Sequence, residues 1–363
     1  MVAHSKMVSL VREAKGWTQK RLSDEASLSQ GFLSKVESGL VPLQDESLRK
    51  VASALDCVPA LLISDLPVRG LEVTCMHHRR RSSTMNVGTR RKIEALTHLT
   101  RVSVEGLLHG IELEPETHLQ RIDIRELEDA TEIARQVRIA WRIPSGPIRS
   151  VIRLIESLGV IVVVRPLGTA AQDAACTWPH DTGASPLMLL NSGLAPDRQR
   201  FTAAHELGHL VMHAIPGDDQ EREADQFASE LLAPAHEIEP QLQGLTSGDF
   251  PRLLELKAHW GISVAALIRR AHDLNVISDR QYREFQIRLN RLGWRTLEPG
   301  TLTLETPTSL NRVINVHLEE HQYSIPELAQ AAVMTEAAFR RHYLPSDTTD
   351  PPPWKLTLVS GDA

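Results

Sequence analysis

The sequence predicts a multidomain, mainly α-helical protein with one small β-sheet in its central part. Its 363 residues exceed the usual size of a single domain. Apolar residues recur at helical spacing in several stretches that begin at a capping residue or end at Gly or Pro. Two short apolar runs, at residues 160–164 and 186–191, are typical of strands. We therefore expect an all-α N-terminal domain, an α+β central domain and a helical C-terminal region.

The composition indicates a soluble, cytoplasmic protein with no membrane partner. Apolar residues make up 42% of the chain and charged residues 24%, and no apolar run approaches the roughly 18 residues that span a membrane. Residues 1–16 lack the apolar core of a signal peptide. The three cysteines, Cys57, Cys75 and Cys176, are widely spaced and odd in number. This excludes both a disulfide framework and a Cys-x-x-Cys zinc site.

Residues 1–66 have the pattern of a compact helix-turn-helix domain. An amphipathic first helix precedes Thr18, which is a good N-cap for a second helix. After a short turn, Ser29 caps a third helix that covers residues 30–38 and ends at Gly39. The inner faces of the second and third helices are apolar: Leu22, Ala26, Leu33 and Val36. Two short helices joined by a tight turn are typical of DNA-binding domains.

Residues 17–23 and 28–39 resemble the phage-repressor family of DNA-binding domains, of the Cro/CI or XRE type. The resemblance implies binding to double-stranded DNA and an internal pair of Arg12 with Glu37. It assigns four residues to the DNA contact: Gln19 at a phosphate, Gln30 and Lys35 at base edges, and Ser29 at the start of the same helix. The family usually has glycine at the turn, where this chain has Ser27. The serine is therefore expected to take a strained or altered turn.

The charge distribution gives weaker support for DNA binding. Residues 1–66 carry eight basic and eight acidic side chains, and the net charge of −6 argues against a nucleic-acid coat. A helical hairpin with no DNA function is the alternative. Residues 67–101 are basic, with eight basic side chains against two acidic ones. Within them the run 77–81 could contact phosphates, although such runs are more often solvated faces.

Residues 67–125 are predicted to form a basic and helical connector. Residues 68–75 could form a short strand. A long helical pattern over residues 87–114 would link the modules or mediate dimerisation.

The most informative motif is His-Glu-x-x-His at residues 205–209, within a predicted metal domain at residues 126–245. Residues four apart share a face of a helix, so His205 and His209 can bind one Zn²⁺ ion through ring nitrogens. Glu206 points into the same cleft and can take a proton from the attacking water. His213 has rotated away from His205 and is expected to support the site or the fold.

The third ligand must come from another element. After a break at residues 216–219, a second helix begins with Glu221, Glu223 and Asp225 in its first turn. Glu221 and Asp225 share a face, so Glu221 could bind zinc while Asp225 accepts the second ring N–H of a ligand histidine. Glu223 lies about 200° around the helix and is expected to be solvated.

Residues 198–213 and 221–234 are similar to the ImmA/IrrE family of metallo-endopeptidases, and residues 264–271 and 293–299 resemble the long form of that family. The resemblance implies a zincin-like protease domain that cleaves a repressor-type protein in response to stress or mobile-element induction. It carries over His205 and His209 as ligands, Glu206 as base and Glu221 as third ligand. Zn²⁺ is the expected cofactor, with Mn²⁺ as the alternative. Ala233 replaces a frequent methionine, which we interpret as a packing change.

The C-terminal third is predicted to be helical. Residues 246–300 form an extension, and residues 301–345 a last helical unit. Residues 324–331 and 335–341 have the outline of a second helix-turn-helix, but the turn lacks glycine and a protein-contact role is the alternative. Residues 346–363 are expected to be disordered.

The sequence thus predicts a DNA-binding regulator with zinc-dependent endopeptidase activity, which cleaves a repressor-type protein or itself. One alternative is a non-catalytic transcription factor whose metal domain senses zinc or binds a protein. Another is a protease whose N-terminal domain binds only protein. Repressor-like domains usually bind paired half-sites, so a homodimer is expected.

Overall fold

A computed structural model describes residues 3–64, 87–127, 129–168, 172–178, 184–213, 217–295, 297–300, 302–344 and 355–358. The strand predicted at residues 68–75 and the basic run at 77–81 lie outside these residues. Among the helices that it describes, none is both long and apolar enough to cross a membrane.

The N-terminal unit consists of five helices: α1 (Ser5–Ala14), α2 (Gln19–Ala26), α3 (Gln30–Glu37), α4 (Asp45–Ala54) and α5 (Pro59–Ile63). Thr18 and Ser29 cap α2 and α3 through their hydroxyl oxygens, which accept from the third backbone N–H of each helix at 3.2 Å. Ser27, between the two helices, is left-handed with a φ of 53°. Serine therefore adopts the conformation that glycine would reach without strain.

A long helix, α6 (Val87–Leu108), follows and contacts α1. It ends before Gly110, whose φ is 78°, and residues Ile111–Glu114 form strand β1. The helical pattern predicted for residues 87–114 is therefore wrong in its last four residues. The apolar core of the N-terminal unit includes Ala95 and Val102 of α6, so this helix is part of that unit's packing and not a free linker.

The central domain surrounds a three-stranded sheet. Its elements are α7 (Ile124–Leu127), α8 (Ala130–Ala140), α9 (Val151–Ser157), β2 (Ile161–Arg165), β3 (Ala174–Thr177), β4 (Leu187–Asn191), α10 (Pro196–Met212), α11 (Gln220–Leu232) and α12 (Ala235–Leu242). The strand order is β2-β4-β3, with β2 parallel and β3 antiparallel to β4. β2 and β4 match the two predicted strands within one residue, whereas β3 was not predicted.

Three further helices complete this domain: α13 (Phe250–Trp260), α14 (Val264–Asp273) and α15 (Asp279–Arg291). Fully buried Trp260 and Phe285 belong to the same apolar cluster as Leu207 of α10. The boundary predicted at residue 245 therefore does not coincide with a break in the core, because the helices on both sides bury their apolar faces together.

The C-terminal unit contains α16 (Ser309–Glu319), α17 (Ile325–Ala331) and α18 (Glu336–Tyr343). Buried Glu156 fastens it to the central domain, since its carboxylate accepts from the backbone N–H of Ser309 at 2.8 Å. Strand β5 (Lys355–Leu358) pairs antiparallel with β1. This contradicts the prediction of disorder for residues 355–358, whose alternating Lys-Leu-Thr-Leu pattern suits a strand.

Candidate metal centre

The centre lies where α10 and α11 pack closely against each other. Gly208, between the two histidines of the motif, permits this approach. A Cβ atom added at Gly208 would lie 3.0 Å from Cδ1 of Phe227 and 3.4 Å from the Cα of Ala224, both on α11. Because glycine has no side chain, the first turn of α11 can lie next to the histidines of α10.

Three side chains meet there: His205, His209 and Glu221. The Nε2 atoms of His205 and His209 lie 3.1 Å apart. The Glu221 carboxylate oxygens lie 3.3 Å from Nε2 of His209 and 3.7 Å from Nε2 of His205. Ligands about 2.0–2.2 Å from one tetrahedral ion are about 3.3–3.6 Å from each other, so this donor set fits a metal ion.

The opposite nitrogen of each histidine ring also has a partner. Nδ1 of His205 lies 2.8 Å from Oδ1 of Asp225. Nδ1 of His209 lies 2.8 Å from Nδ1 of His213, whose Nε2 lies 3.0 Å from Oε2 of Glu223. These contacts hold both rings with Nε2 directed at Glu221. The expectation that Glu223 is solvated is wrong, because its side chain is only 20% exposed and contacts His213.

Glu206 lies beside the donor set and is 1% exposed. Its Oε2 atom has no hydrogen-bond partner among the described residues. A buried carboxylate oxygen without a hydrogen-bond partner is a strong acceptor for a proton or for a hydrogen bond from a polar ligand. Cys176 of β3 approaches the backbone of the same residue, with its Sγ 3.7 Å from the Glu206 carbonyl oxygen. The edge strand of the sheet thus runs next to Glu206.

The centre is electrostatically suited to a cation. Burial alone would lower the pKa of His205, but the hydrogen bond to Asp225 and the negative charges of Glu206 and Glu221 outweigh it, so this pKa is raised. Carboxylates around a buried imidazole stabilise positive charge, whether that charge is a proton or a metal ion.

In the N-terminal unit, Gln30 and Lys35 lie on the exposed face of α3. Gln19 is engaged within the domain, since its Nε2 donates to Oε2 of Glu37 at 2.9 Å. Arg12 donates to both oxygens of Glu37, at 2.6 and 2.9 Å, which confirms the pair that the resemblance implied. Ser29 uses its hydroxyl oxygen as the cap of α3 and keeps its O–H for another acceptor.

Comparison with known protein families agrees with the division into an N-terminal unit and a central domain. The fold and the two sites define a helix-turn-helix DNA-binding domain followed by a metallopeptidase-like domain. Residues 9–62 match the family model described as helix-turn-helix, and residues 155–272 match the model described as IrrE N-terminal-like domain. The chain therefore carries an XRE-type helix-turn-helix and an IrrE-like peptidase domain, as the sequence predicts. A search of curated proteins found no match.

Neither the contact of His213 with Glu223 nor the strand β3 was predicted from the sequence. The signal for the first was present, because His213 follows His209 by four residues and Glu223 lies two residues after Glu221. The short Ala-Ala-Cys-Thr segment of β3 offers little strand signal of its own.

Proposed function

We propose that the protein is a DNA-binding regulator with zinc-dependent endopeptidase activity. It cleaves a repressor-type protein, or its own chain, to control transcription in response to stress or mobile-element induction. The observation that carries the proposal is the group of His205, His209 and Glu221 beside the buried carboxylate of Glu206.

The metal is Zn²⁺, since two imidazoles and one carboxylate are the usual protein ligands of a catalytic zinc site. Mn²⁺ is the alternative, because a carboxylate also suits that ion. When bound, the zinc ion supplies a Lewis acid for the scissile carbonyl and lowers the pKa of water toward about 7. Asp225 accepts a hydrogen bond from Nδ1–H of His205. This fixes the tautomer in which Nε2 is unprotonated and can bind the metal ion.

Glu206 is the general base. Its buried Oε2 takes a proton from the attacking water and returns it to the leaving amine. Exclusion of bulk water, with the side chain 1% exposed, strengthens this acceptor.

The substrate is an extended peptide. β3 is an edge strand of the sheet and packs against α10. A peptide that adds to this edge by main-chain pairing would present its carbonyl near Glu206. Main-chain pairing depends little on side chains, so sequence specificity must come from pockets beside the strand.

The N-terminal unit brings the activity to DNA. Gln30 and Lys35 are exposed on α3 for base contacts, with Ser29 at its start. Gln19 can still contact a phosphate through its second amide hydrogen, because one Nε2 hydrogen suffices for Glu37. A substrate that is itself a repressor would then be encountered near the same operator.

The test is substrate capture with Glu206→Gln, which keeps the metal donors and removes the base. Purified wild-type protein with Zn²⁺ or Mn²⁺ should cleave the captured partner, whereas Glu206→Gln should lose at least about 100-fold in rate. The partly exposed Glu132→Gln is the matched control and should cleave normally. Equal behaviour of wild type and Glu206→Gln on both the captured partner and the chain itself would overturn the protease proposal. It would favour a non-catalytic regulator that senses zinc or binds a protein.

A further inference from the structure

The C-terminal unit repeats the local architecture of the N-terminal one, position for position. Val333 follows Ser324 by nine residues, as Ser27 follows Thr18. Both turn residues are left-handed, with φ of 54° for Val333 and 53° for Ser27. Each is followed two residues later by the N-cap of the next helix, which is Thr335 in the second unit.

The same pair of backbone hydrogen bonds closes both turns. They run from Ser27 to Asp24 at 3.3 Å and from Leu28 to Ser23 at 3.0 Å in the first unit, and from Val333 to Gln330 at 3.0 Å and from Met334 to Ala329 at 2.8 Å in the second. A β-branched residue is strained in the left-handed region. Val333 adopts this conformation although valine, unlike glycine, has a Cβ atom that disfavours it. The surrounding packing must therefore enforce the helix-turn-helix geometry.

The buried positions also correspond. Each pair below is buried in both units: Met7 and Val313, Val8 and Ile314, Leu10 and Val316, Leu22 and Leu328, Ala26 and Ala332, Leu33 and Phe339. The three helices of the C-terminal unit, α16, α17 and α18, therefore repeat α1, α2 and α3 in the same order and with the same inward positions. The outline seen in the sequence is a complete helix-turn-helix in three dimensions.

The exposed face of α18 differs from that of α3 in its charge. Arg340 and Arg341 occupy the positions of Ser34 and Lys35, and both are exposed. Arg340 lies 2.8 Å from Glu336 in an exposed pair, which contributes little and can rearrange. Arginine forks match phosphate oxygens and the O6 and N7 atoms of guanine. This face thus carries two guanidinium groups where the first unit carries one ammonium group.

We propose that α16, α17 and α18 form a second DNA-binding domain, which enters the major groove with α18. Arg341 contacts base edges, as Lys35 does from the first unit, and Arg340 contacts phosphate. Helix α6 packs against α1 of the first domain and against α16 and α17 of the second, so the two domains are held at a set separation. One chain therefore reads two different half-sites with fixed spacing. This goes beyond the proposed protease function and does not require catalysis.

The test is selection of double-stranded DNA from a random pool by the full-length protein. Wild type should enrich two half-sites of unlike sequence at one spacing. DNA selected by Lys35→Ala should lose its base preference at one half-site, and DNA selected by Arg341→Ala should lose it at the other. Each variant should bind the wild-type site about 5- to 100-fold more weakly. Arg280→Ala, on the exposed face of α15, is the matched control and should bind as wild type does.

A homodimer that uses only the N-terminal unit gives a different result. It would enrich two identical, inverted half-sites, and Lys35→Ala would weaken both. That result, a single half-site, or Arg341→Ala binding like Arg280→Ala would each overturn the second domain. Cross-linking of α18 to a protein and not to DNA would also overturn the proposal of a second DNA-binding domain. Equal melting temperatures of the Arg341→Ala and Arg280→Ala proteins would show that both variants fold, since both side chains are exposed.

Discussion

The Nδ1 atoms of His209 and His213 lie 2.8 Å apart, so one ring must donate its proton to the other. If Nε2 of His209 serves a metal ion, its proton resides on Nδ1, and His209 is the donor. His213 then carries its own proton on Nε2 and donates it to Glu223 at 3.0 Å. The tautomers of both histidines are thereby linked to one carboxylate on α11.

The first prediction concerns His213. Replacement by alanine removes the acceptor for the His209 ring without touching the three metal donors. We expect metal affinity to fall about 10- to 100-fold. Competition with a chromophoric chelator measures this. His236→Ala, whose side chain is 72% exposed, is the control, and equal affinity of the two variants would contradict the prediction.

The second prediction separates the two glutamates of α11. Glu221→Gln should abolish stoichiometric metal binding, because an amide is a poor zinc ligand. Glu223→Gln should retain metal, with the affinity loss limited to about 10-fold. Metal content after dialysis distinguishes them. Loss of metal from the Glu223→Gln protein, with retention in Glu221→Gln, would reverse our assignment of the third ligand.

The third prediction concerns Gly208. An alanine Cβ would press on the ring of Phe227 and move α11 away from α10. We expect a loss of about 1–3 kcal/mol in the free energy of unfolding, together with weaker metal binding. Denaturant unfolding and metal titration of Gly208→Ala measure both. An unchanged metal affinity would show that α11 is positioned by other contacts.

The fourth prediction compares two helical glycines. A Cβ at Gly106 in α6 would overlap the backbone carbonyl oxygen of Ala331, whereas a Cβ at Gly31 in α3 meets nothing within 4 Å. Gly106→Ala should therefore destabilise the protein by at least about 1–3 kcal/mol. Gly31→Ala should stabilise it by about 0.5–1 kcal/mol. Chemical denaturation should give opposite signs, and a Gly106→Ala protein as stable as wild type would refute the close packing of α6 on α17.

The fifth prediction concerns acid stability. Burial, together with the positive charges of Arg165 and Arg341, lowers the pKa of His342 to about 4 from its ordinary value of 6.5. Above pH 6.5 the residue is neutral in both states. As the pH falls from 6.5 toward 4, the unfolded chain takes up the proton first, so the folded state loses stability.

His342→Asn should remove this part of the pH dependence. We expect the melting temperature of the variant to fall less than that of wild type between about pH 7.5 and about pH 5. His236→Asn serves as the control, and its melting temperature should change with pH as that of wild type does. If His342→Asn and His236→Asn show the same decrease, His342 is not the group responsible.

The proximity of His205, His209 and Glu221 could be predicted because each lies on a helix, where spacing determines direction. The position of the His213 ring could not, because the chain leaves the helix at Met212 and His213 has a φ of −109° and a ψ of 66°. A periodic pattern contains no information about such a bend.

Pairing between distant segments was equally hard to predict. β3 is a strand because β4 lies beside it, and β1 pairs with a segment more than two hundred residues later in the chain. The second helix-turn-helix was predicted only in outline. Its turn depends on Val333 in a left-handed conformation, which local preference disfavours and only packing can impose.

Helix α6 contributes side chains to all three apolar cores that the described residues form. Ala95 and Val102 belong to the N-terminal core, Ile93 to the core of the central domain, and Leu96 and Leu107 to the core that holds the C-terminal unit. Melting this one helix would remove packing from every core at once. The two predicted DNA-binding units and the peptidase domain should consequently unfold in a single cooperative transition. Deletion of α6 would expose part of the apolar core of each remaining domain to solvent.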